Sequence, residues 1–323
     1  MIVKFTTAWN ENYSKFLMDN DNSNKSIEFK INDATSICDY WVIWGGIKKE
    51  ETVLCPPENI FYITDEAHEM RFYNQEFLNQ FSSIYAVRDD LEHRSIIKIH
   101  EPQIWYFNQS FDELAFLKPI QKSKKISVVC SDLTWLQGHK NRFSFVNKLI
   151  GHFKDKIDVY GRGFNPLEDK WEALAPYQFS IAIENNQIPN YFTEKISECF
   201  LAYTVPVYFG CPNVHQYYHS NAFIDIDIFN YKRSFETIEQ IIDTPNLYNQ
   251  YFENVKNARD SYFQNYFLFE WLKKILPQTN STKRELIKIK PEFYFKEKED
   301  MSSLYKKYGK KKIFFGLIES YFK

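Results

Sequence analysis

This sequence predicts an α/β fold in two halves, on three observations. Short apolar runs of strand length, at 59–63, 84–87, 126–130 and 157–160, alternate with helical patterns along the chain, as in folds built on parallel sheets. The lysine-rich segment KPIQKSKK at 118–125 separates two such series and reads as a linker. Residues 177–213, YQFSIAIENNQIPNYFTEKISECFLAYTVPVYFGCPN, read as strand, polar loop, helix and strand, a complete βαβ unit.

A chain of 323 residues has room for two domains of ordinary size. With 44% hydrophobic and 25% charged residues it belongs with soluble globular proteins, and a formal net charge of −2 gives no reason to expect a nucleic-acid partner. The five cysteines, at 38, 55, 130, 199 and 211, form no CxxC pair, which argues against a disulfide framework and for a reducing compartment. Met1 runs directly into Ile-Val-Lys-Phe, and no apolar run reaches the ~18 residues of a membrane span, so a cytoplasmic location is expected. No HExxH, P-loop, G-x-S-x-G or paired-cysteine metal motif occurs, which weighs against protease, NTPase, esterase and zinc-enzyme chemistry.

Taken in order, residues 1–8 read as a first strand and residues 10–24 as polar loop or helix. SICDYWVIWGG at 36–46 is a strand closed by a Gly-Gly turn, with Trp41 and Trp44 expected in the core. The strand at 59–63 runs into Thr64-Asp65-Glu66. A carboxylate at the end of a buried strand suits a general base that takes the proton of an attacking hydroxyl; an acidic pair there more often caps a helix start. Residues 70–81 carry helical periodicity through Phe72, Phe77, Leu78 and Phe81. The short strands at 84–87 and 96–99 follow, the second leading to His100, a candidate for acceptor contact.

In the second half the strand at 126–130 precedes a helix expected at 141–153, with Arg142 at its start. A guanidinium at a helix N-terminus can grip a diphosphate through two hydrogen bonds. After the strand at 157–160 comes Gly161-Arg162-Gly163, where missing side chains let the backbone approach a ligand. Within 177–213, Phe179, Ile181 and Ile183 alternate as in a buried strand, and Thr193 caps a helix whose Ile196, Cys199, Phe200 and Tyr203 share one face. Glu194 and Lys195 stand in its first turn. A carboxylate beside an ammonium at such a place suits a nucleotide: ribose hydroxyls for one, phosphate oxygens for the other. Asp225 and Asp227 spell DxD in an expected strand at 224–229, but an alternating strand yields that spacing readily and the pair reads as structural. Helices are expected at 235–242, 247–259 and 262–276. The tail at 296–323 mixes lysines with aromatic residues; it either packs on the body or lies on an anionic membrane.

The pattern EN-x4-NYFTEK at 184–195, followed by VPVYFGCPN at 205–213, resembles the donor-binding signature of the family 10 glycosyltransferases, the α-1,3/4-fucosyltransferases. The resemblance covers about residues 120–230 and is weaker over 58–107. It implies a GT-B-type architecture, two Rossmann-like domains facing across a cleft: an acceptor-binding domain at 1–120, a nucleotide-sugar domain at 121–285 and a basic, aromatic tail at 286–323. It also implies inverting transfer of fucose from GDP-fucose to a hydroxyl of a glycan, such as bacterial lipopolysaccharide or capsule, with no metal or other cofactor required. Glu66 takes the place of the catalytic base, with Asp65 as the alternative. Arg142 and Lys195 fall on the diphosphate, Glu194 on the ribose, Tyr191 against base or ribose, and Glu184 and Asn185 near donor oxygens. Asp65 stands where the family has glycine, Asn186 where it often has serine, and Phe192 where it has a different apolar residue. These departures keep two alternatives open: another GDP-linked deoxysugar or heptose as donor, or a non-catalytic nucleotide- or glycan-binding module. The partners implied are a nucleotide sugar, a glycan acceptor and, through the tail, the inner face of a membrane.

Overall fold

The computed structural model describes residues 1–17, 27–276 and 283–296. These divide into two compact units: residues 1–14, 27–100, 276 and 283–296 form the first, residues 15–17 and 101–275 the second. No helix among the described residues is long and apolar enough to cross a membrane.

The first unit is built from strands β1 (Ile2–Thr7), β2 (Glu28–Ile31), β3 (Tyr40–Trp44), β4 (Glu51–Cys55), β5 (Ile60–Ile63), β6 (Ser83–Ala86) and β7 (Ile96–Lys98). Six of them form a parallel sheet in the order β2-β1-β3-β5-β6-β7. Strands covered on both faces need continuous apolar runs, and β3 supplies one: Trp41, Val42 and Ile43 are fully buried. On β5, Tyr62 packs against Phe77 and Phe81 with ring centroids 5.3 and 4.9 Å away. The helix expected over 70–81 shrinks to the single turn α1 (Gln75–Leu78), capped by the Asn74 side chain, which accepts from the Phe77 amide at 3.1 Å. Its N-terminal part is not helical because Arg71 and Tyr73 bond to Asp65 instead.

The second unit carries α2 (Phe111–Ala115), β8 (Lys124–Val129), α3 (Gln137–Phe153), β9 (Asp158–Tyr160), β10 (Tyr177–Ile183), α4 (Glu194–Leu201), β11 (Val205–Phe209), β12 (Ile224–Asp225), α5 (Tyr231–Asp243), α6 (Leu247–Ser261) and α7 (Leu268–Ile275). A π-helical turn at Tyr262–Tyr266 joins the last two helices. Its parallel sheet has the order β12-β11-β10-β8-β9, so the chain leaves β8 toward one edge and returns on the other side at β10. That reversal opens a crevice at the carboxyl ends of β8 and β10. Phe145, Val146 and Leu149 of α3 and Ile196, Cys199 and Phe200 of α4 are buried in one core with Phe179 and Ile181 of β10. The strand expected at 224–229 ends after Asp225, where Asp227 turns the chain: its Oδ1 accepts from the Phe229 amide at 2.9 Å, and its amide donates to Ser234 Oγ at 3.0 Å.

The division between units falls at His100/Glu101, not within the lysine-rich segment at 118–125. Residues 101–118 belong to the second unit because Trp105 is buried among Phe107, Tyr262 and Phe267, and Gln103 Nε2 donates to the Phe192 carbonyl at 2.8 Å. Lys122 is no solvated linker residue. Its Nζ donates to the carbonyls of Ala175 and Ala202 at 2.7 and 2.6 Å and to Thr204 Oγ1 at 3.0 Å, and burial lowers its pKa to about 7. The expected tail at 286–323 also differs. β13 (Glu285–Ile289) pairs antiparallel with β4 in the first unit and is followed by the short α8 (Phe293–Lys296). The remainder of the tail, on which the membrane expectation rests, lies outside the described residues. Both units are thus α/β folds built on parallel sheets, as expected for each half.

Candidate active site

A cavity of about 570 Å³ lies in the second unit at the carboxyl ends of β8, β9 and β10, where the strand order reverses. Of the residues singled out from the sequence, Arg142, Gly161, Arg162, Glu194 and Lys195 line it. The local backbone explains why they meet. Gly161 has φ +112°, and a Cβ there would come within 2.2 Å of the Cys130 carbonyl oxygen, so only glycine lets the β9 loop close against β8. Gly138, in the first turn of α3, is pressed on the loop after β10: a Cβ would fall 1.5 Å from the Asn185 carbonyl oxygen.

That close approach gathers polar atoms that other protein groups do not satisfy. Arg142, 7% exposed, donates from Nη2 to Ser131 Oγ at 3.0 Å, while its Nε has no partner among the described residues. The buried His139 Nδ1 and the Oδ1 atoms of Asn185 and Asn186 are likewise unpartnered among the described residues. Burial, then the nearby Arg142 and Lys195, pushes the His139 pKa down to about 4, so its ring is neutral at physiological pH. Buried polar atoms left open cost free energy. Of these groups Arg142 lines the cavity, where a polar ligand can complete its hydrogen bonding.

A chain of alternating charges starts behind the same wall at Glu184 and runs along it through Lys195, Glu194, Lys170 and Glu198. Glu184, 1% exposed at the end of β10, accepts from the Thr193 amide at 2.8 Å and from Thr193 Oγ1 at 2.9 and 2.8 Å, and its Oε2 lies 3.1 Å from Lys195 Nζ. Thr193 in turn caps α4 by accepting from the Lys195 amide. Lys195 Nζ lies 3.3 Å from Glu194 Oε1, and Lys170 Nζ lies 3.7 Å from the same oxygen and 3.0 Å from Glu198 Oε2. Burial alone would raise the Glu194 carboxyl; Lys195 and Lys170 overcome it and hold the pKa down at about 2. Burial works against the Lys195 ammonium as well, but Glu184 and Glu194 raise its pKa above the ordinary lysine value. Both groups are therefore charged across the physiological range, one an acceptor for hydroxyls and one a donor for anionic oxygens.

Glu184, Asn185 and Tyr191 are not among the residues lining the cavity. Glu184 acts by holding Thr193 and Lys195, and Tyr191 is buried. Phe192 is fully buried against Tyr217 and Tyr218, so its departure from the family pattern is one of packing. Arg162 is exposed and paired with Asp132 at 3.0 Å. Of the DxD pair, Asp225 faces His215 at 3.0 Å. Among the described residues no three His, Cys, Asp or Glu are grouped to hold a metal ion.

In the first unit, β5 delivers Asp65 and Glu66 in succession. The Asp65 carboxylate accepts from Trp9 Nε1 at 3.0 Å, from Arg71 Nη1 at 3.0 Å and from the Tyr73 hydroxyl at 2.8 Å, and its side chain is 1% exposed. Arg71 also reaches Glu292, at 3.2 Å, whose other oxygen accepts from the Asn74 amide at 2.8 Å. Asp65 is therefore already committed to a cation and two neutral donors. Glu66 is half-buried, with its carbonyl 3.4 Å from Arg88 Nη1. His100 is half-buried where the first unit ends.

Sequence reading misses Lys170, Glu198, Ser131, His139 and Gly138. Only Glu198 carries a signal, since its i, i+4 spacing from Glu194 puts two carboxylates on one face of a short helix.

A family model described as "Glycosyltransferase family 10 (fucosyltransferase) C-term" matches residues 120–284, just over half the chain. An alpha-(1,3)-fucosyltransferase of Helicobacter pylori is 32% identical over 108 residues, covering 32% of this chain and 22% of that protein. A 4-galactosyl-N-acetylglucosaminide 3-alpha-L-fucosyltransferase of Pan troglodytes is 29% identical over 179 residues, covering 54% of this chain and 49% of that one. The matches thus span between about a fifth and a half of the length of these relatives. A crystal structure of an alpha1,3-fucosyltransferase with GDP-fucose superposes with a TM-score of 0.46 at 17% identity, covering 88% of this chain and 92% of that one. By the extent of the family match, this chain belongs to glycosyltransferase family 10, the fucosyltransferases.

Proposed function

We propose that the protein transfers fucose from GDP-fucose to a hydroxyl of a glycan, with inversion at the anomeric carbon. The observation that carries the reading is the meeting of Arg142, Lys195 and Glu194 on one cavity wall at the strand-order reversal of the second unit. In the reaction an acceptor oxygen bonds to the anomeric carbon as the bond to the β-phosphate oxygen breaks and GDP leaves. Negative charge grows on the diphosphate, and donors fixed in advance, the Arg142 guanidinium and the Lys195 ammonium, stabilise it where it develops. Glu194 accepts from the ribose hydroxyls. Glu66 takes the proton of the attacking hydroxyl, a role for which Asp65 is unsuited because its lone pairs are engaged by Arg71, Tyr73 and Trp9. A surface glycan such as lipopolysaccharide or capsule is the acceptor class in this reading.

Calorimetric titration with GDP, UDP and CMP, alongside GDP release from GDP-fucose in the presence of a glycan panel, tests it. GDP binds preferentially, and Lys195→Ala weakens it about 30-fold or more, as removal of a partly buried ionic contact does. Equal or better binding of UDP, or no binding of any guanosine nucleotide, would discard the GDP-fucose reading.

A further inference from the structure

Lys170 has no place in the scheme above, yet it sits on the wall of the same cavity with Glu194, Lys195 and Glu198. It is held there firmly. It opens a 3-10 turn (Lys170–Ala173) capped by Asp169, which accepts from the Trp171 amide at 2.9 Å and from the Asn108 amide at 3.1 Å. The Trp171 ring meets Phe107 edge-on at 5.0 Å. From this base Lys170 Nζ reaches Glu198 Oε2 at 3.0 Å and Glu194 Oε1 at 3.7 Å, and lies 5.3 Å from the centre of the Tyr106 ring. The other oxygen of Glu198 accepts from the Tyr106 amide at 2.7 Å.

The charge balance of the wall gives this arrangement a consequence. Three carboxylates (Glu184, Glu194 and Glu198) share two cations (Lys170 and Lys195), with the like charge of Arg142 acting on Lys195. Glu184 and Glu194 both already draw on Lys195. Without Lys170, Glu194 would fall wholly to Lys195, and Glu198, 2% exposed, would stand as an uncompensated charge beside a cavity meant for an anion. Such a charge several ångströms away, at the dielectric of a partly buried site, opposes anion binding appreciably.

Building on the nucleoside-diphosphate reading of the cavity, we propose that Lys170 is a positioning residue for anion binding. It neutralises Glu198 and shares Glu194, so that Lys195 is not wholly drawn into its two carboxylates and remains available, beside Arg142, to a diphosphate. It acts through these carboxylates and not by touching the ligand.

The test is calorimetric titration of GDP, with guanosine as the phosphate-free probe, into the wild-type protein and the variants Lys170→Met, Lys170→Arg and Lys170→Met/Glu198→Gln. Titrations are run at about pH 8 and about pH 5.5, on either side of where an unpaired, buried glutamate titrates. Lys170→Met weakens GDP about 30-fold at the higher pH and guanosine much less. The loss shrinks at the lower pH, as the orphaned carboxyl takes a proton, and the double variant and Lys170→Arg each return to within a few-fold of wild type. A strut that merely holds the fold would give neither the acid recovery nor the rescue by Glu198→Gln. Undiminished GDP binding by Lys170→Met, or an equal loss at both pH values with no rescue in the double variant, overturns the inference and leaves the nucleotide reading standing. A wild-type protein that binds no GDP overturns both.

Discussion

The ends of β5 and β10 make an instructive pair. Each strand is buried, and each gives way to a carboxylate with a 1% exposed side chain and a cation about 3 Å away: Asp65 with Arg71, Glu184 with Lys195. They differ in what lies beyond the cation. At β5 the bonds turn back onto the fold: Trp9, Arg71 and Tyr73 occupy Asp65, and Arg71 runs on to the Gly45 carbonyl and to Glu292, which accepts from the Asn74 amide. At β10 the charges continue through Lys195, Glu194, Lys170 and Glu198 along the wall of a cavity. A carboxylate at a strand end is thus not by itself a sign of chemistry. A closed knot fixes the backbone and presents its neighbour, here Glu66; an open chain of charges can be shared out afresh when an anion arrives.

The largest effect expected from this contrast is at Glu66. On the proposed mechanism, replacing it by Gln removes the base and lowers the GDP-fucose turnover rate by about 10²–10⁴-fold. Asp65→Asn, next in sequence, lowers the midpoint, and its activity loss follows the fraction unfolded. Turnover and urea denaturation of both variants decide the matter. A Glu66→Gln protein with nearly normal turnover would move the base elsewhere.

A smaller effect separates the two cations. Arg71→Met leaves Asp65 and Glu292 charged and without their guanidinium, and breaking a buried pair on one side costs roughly 3–5 kcal/mol. GDP affinity in the folded fraction should stay within about twofold, because the residues proposed to hold the nucleotide belong to the other unit. Lys195→Met should reverse the weighting. Glu184 keeps the Thr193 amide and hydroxyl, so stability falls less, about 1–3 kcal/mol, while GDP binding drops sharply. Loss of GDP binding in Arg71→Met, measured under conditions where the variant is folded, would break the comparison.

The same contrast explains how much of the fold and of the site is legible in the sequence. The βαβ unit at 177–213, the cap at Thr193 and the pairing of Glu194 with Lys195 are local: strand alternation, a capping residue and helical spacing act over a few positions, and the elements form nearly where the pattern places them. Asp65 is ambiguous in the sequence because its meaning lies in Trp9, Arg71 and Tyr73, and Trp9 is 56 positions away. The helix expected at 70–81 fails for the same reason: two of its residues are drawn off by a carboxylate earlier in the chain. Lys122 looks like linker because lysine composition says nothing of three acceptors contributed by Ala175, Ala202 and Thr204. Lys170 is hidden likewise, since its two carboxylates lie more than twenty positions on.

The smallest predicted effect is one of pH, and at and beside the open wall it comes from His139 and Glu194. His139 has an ordinary value of 6.5 in the unfolded chain and about 4 in the folded one, where burial and the cations Arg142 and Lys195 oppose its proton. Between those values the unfolded chain binds a proton that the folded protein refuses, so stability falls as pH drops from 6.5 toward 4. Glu194 acts in the next window: its ordinary value of 4.5 against about 2 when folded means that its stabilising contribution, complete above 4.5, is lost as pH falls toward 2. The two limbs have the same sign and adjoin. Urea denaturation at stepped pH should therefore show a continuous decline from neutrality into acid, the His139 limb amounting to roughly 2–3 kcal/mol at most. His139→Gln should flatten the upper limb and leave the lower one intact, because glutamine keeps a polar group at the site but has no proton to refuse. If the variant declines as steeply as the wild type between 6.5 and 4, the titrating group is not His139, and the cations that oppose its proton are not acting on it as their proximity requires.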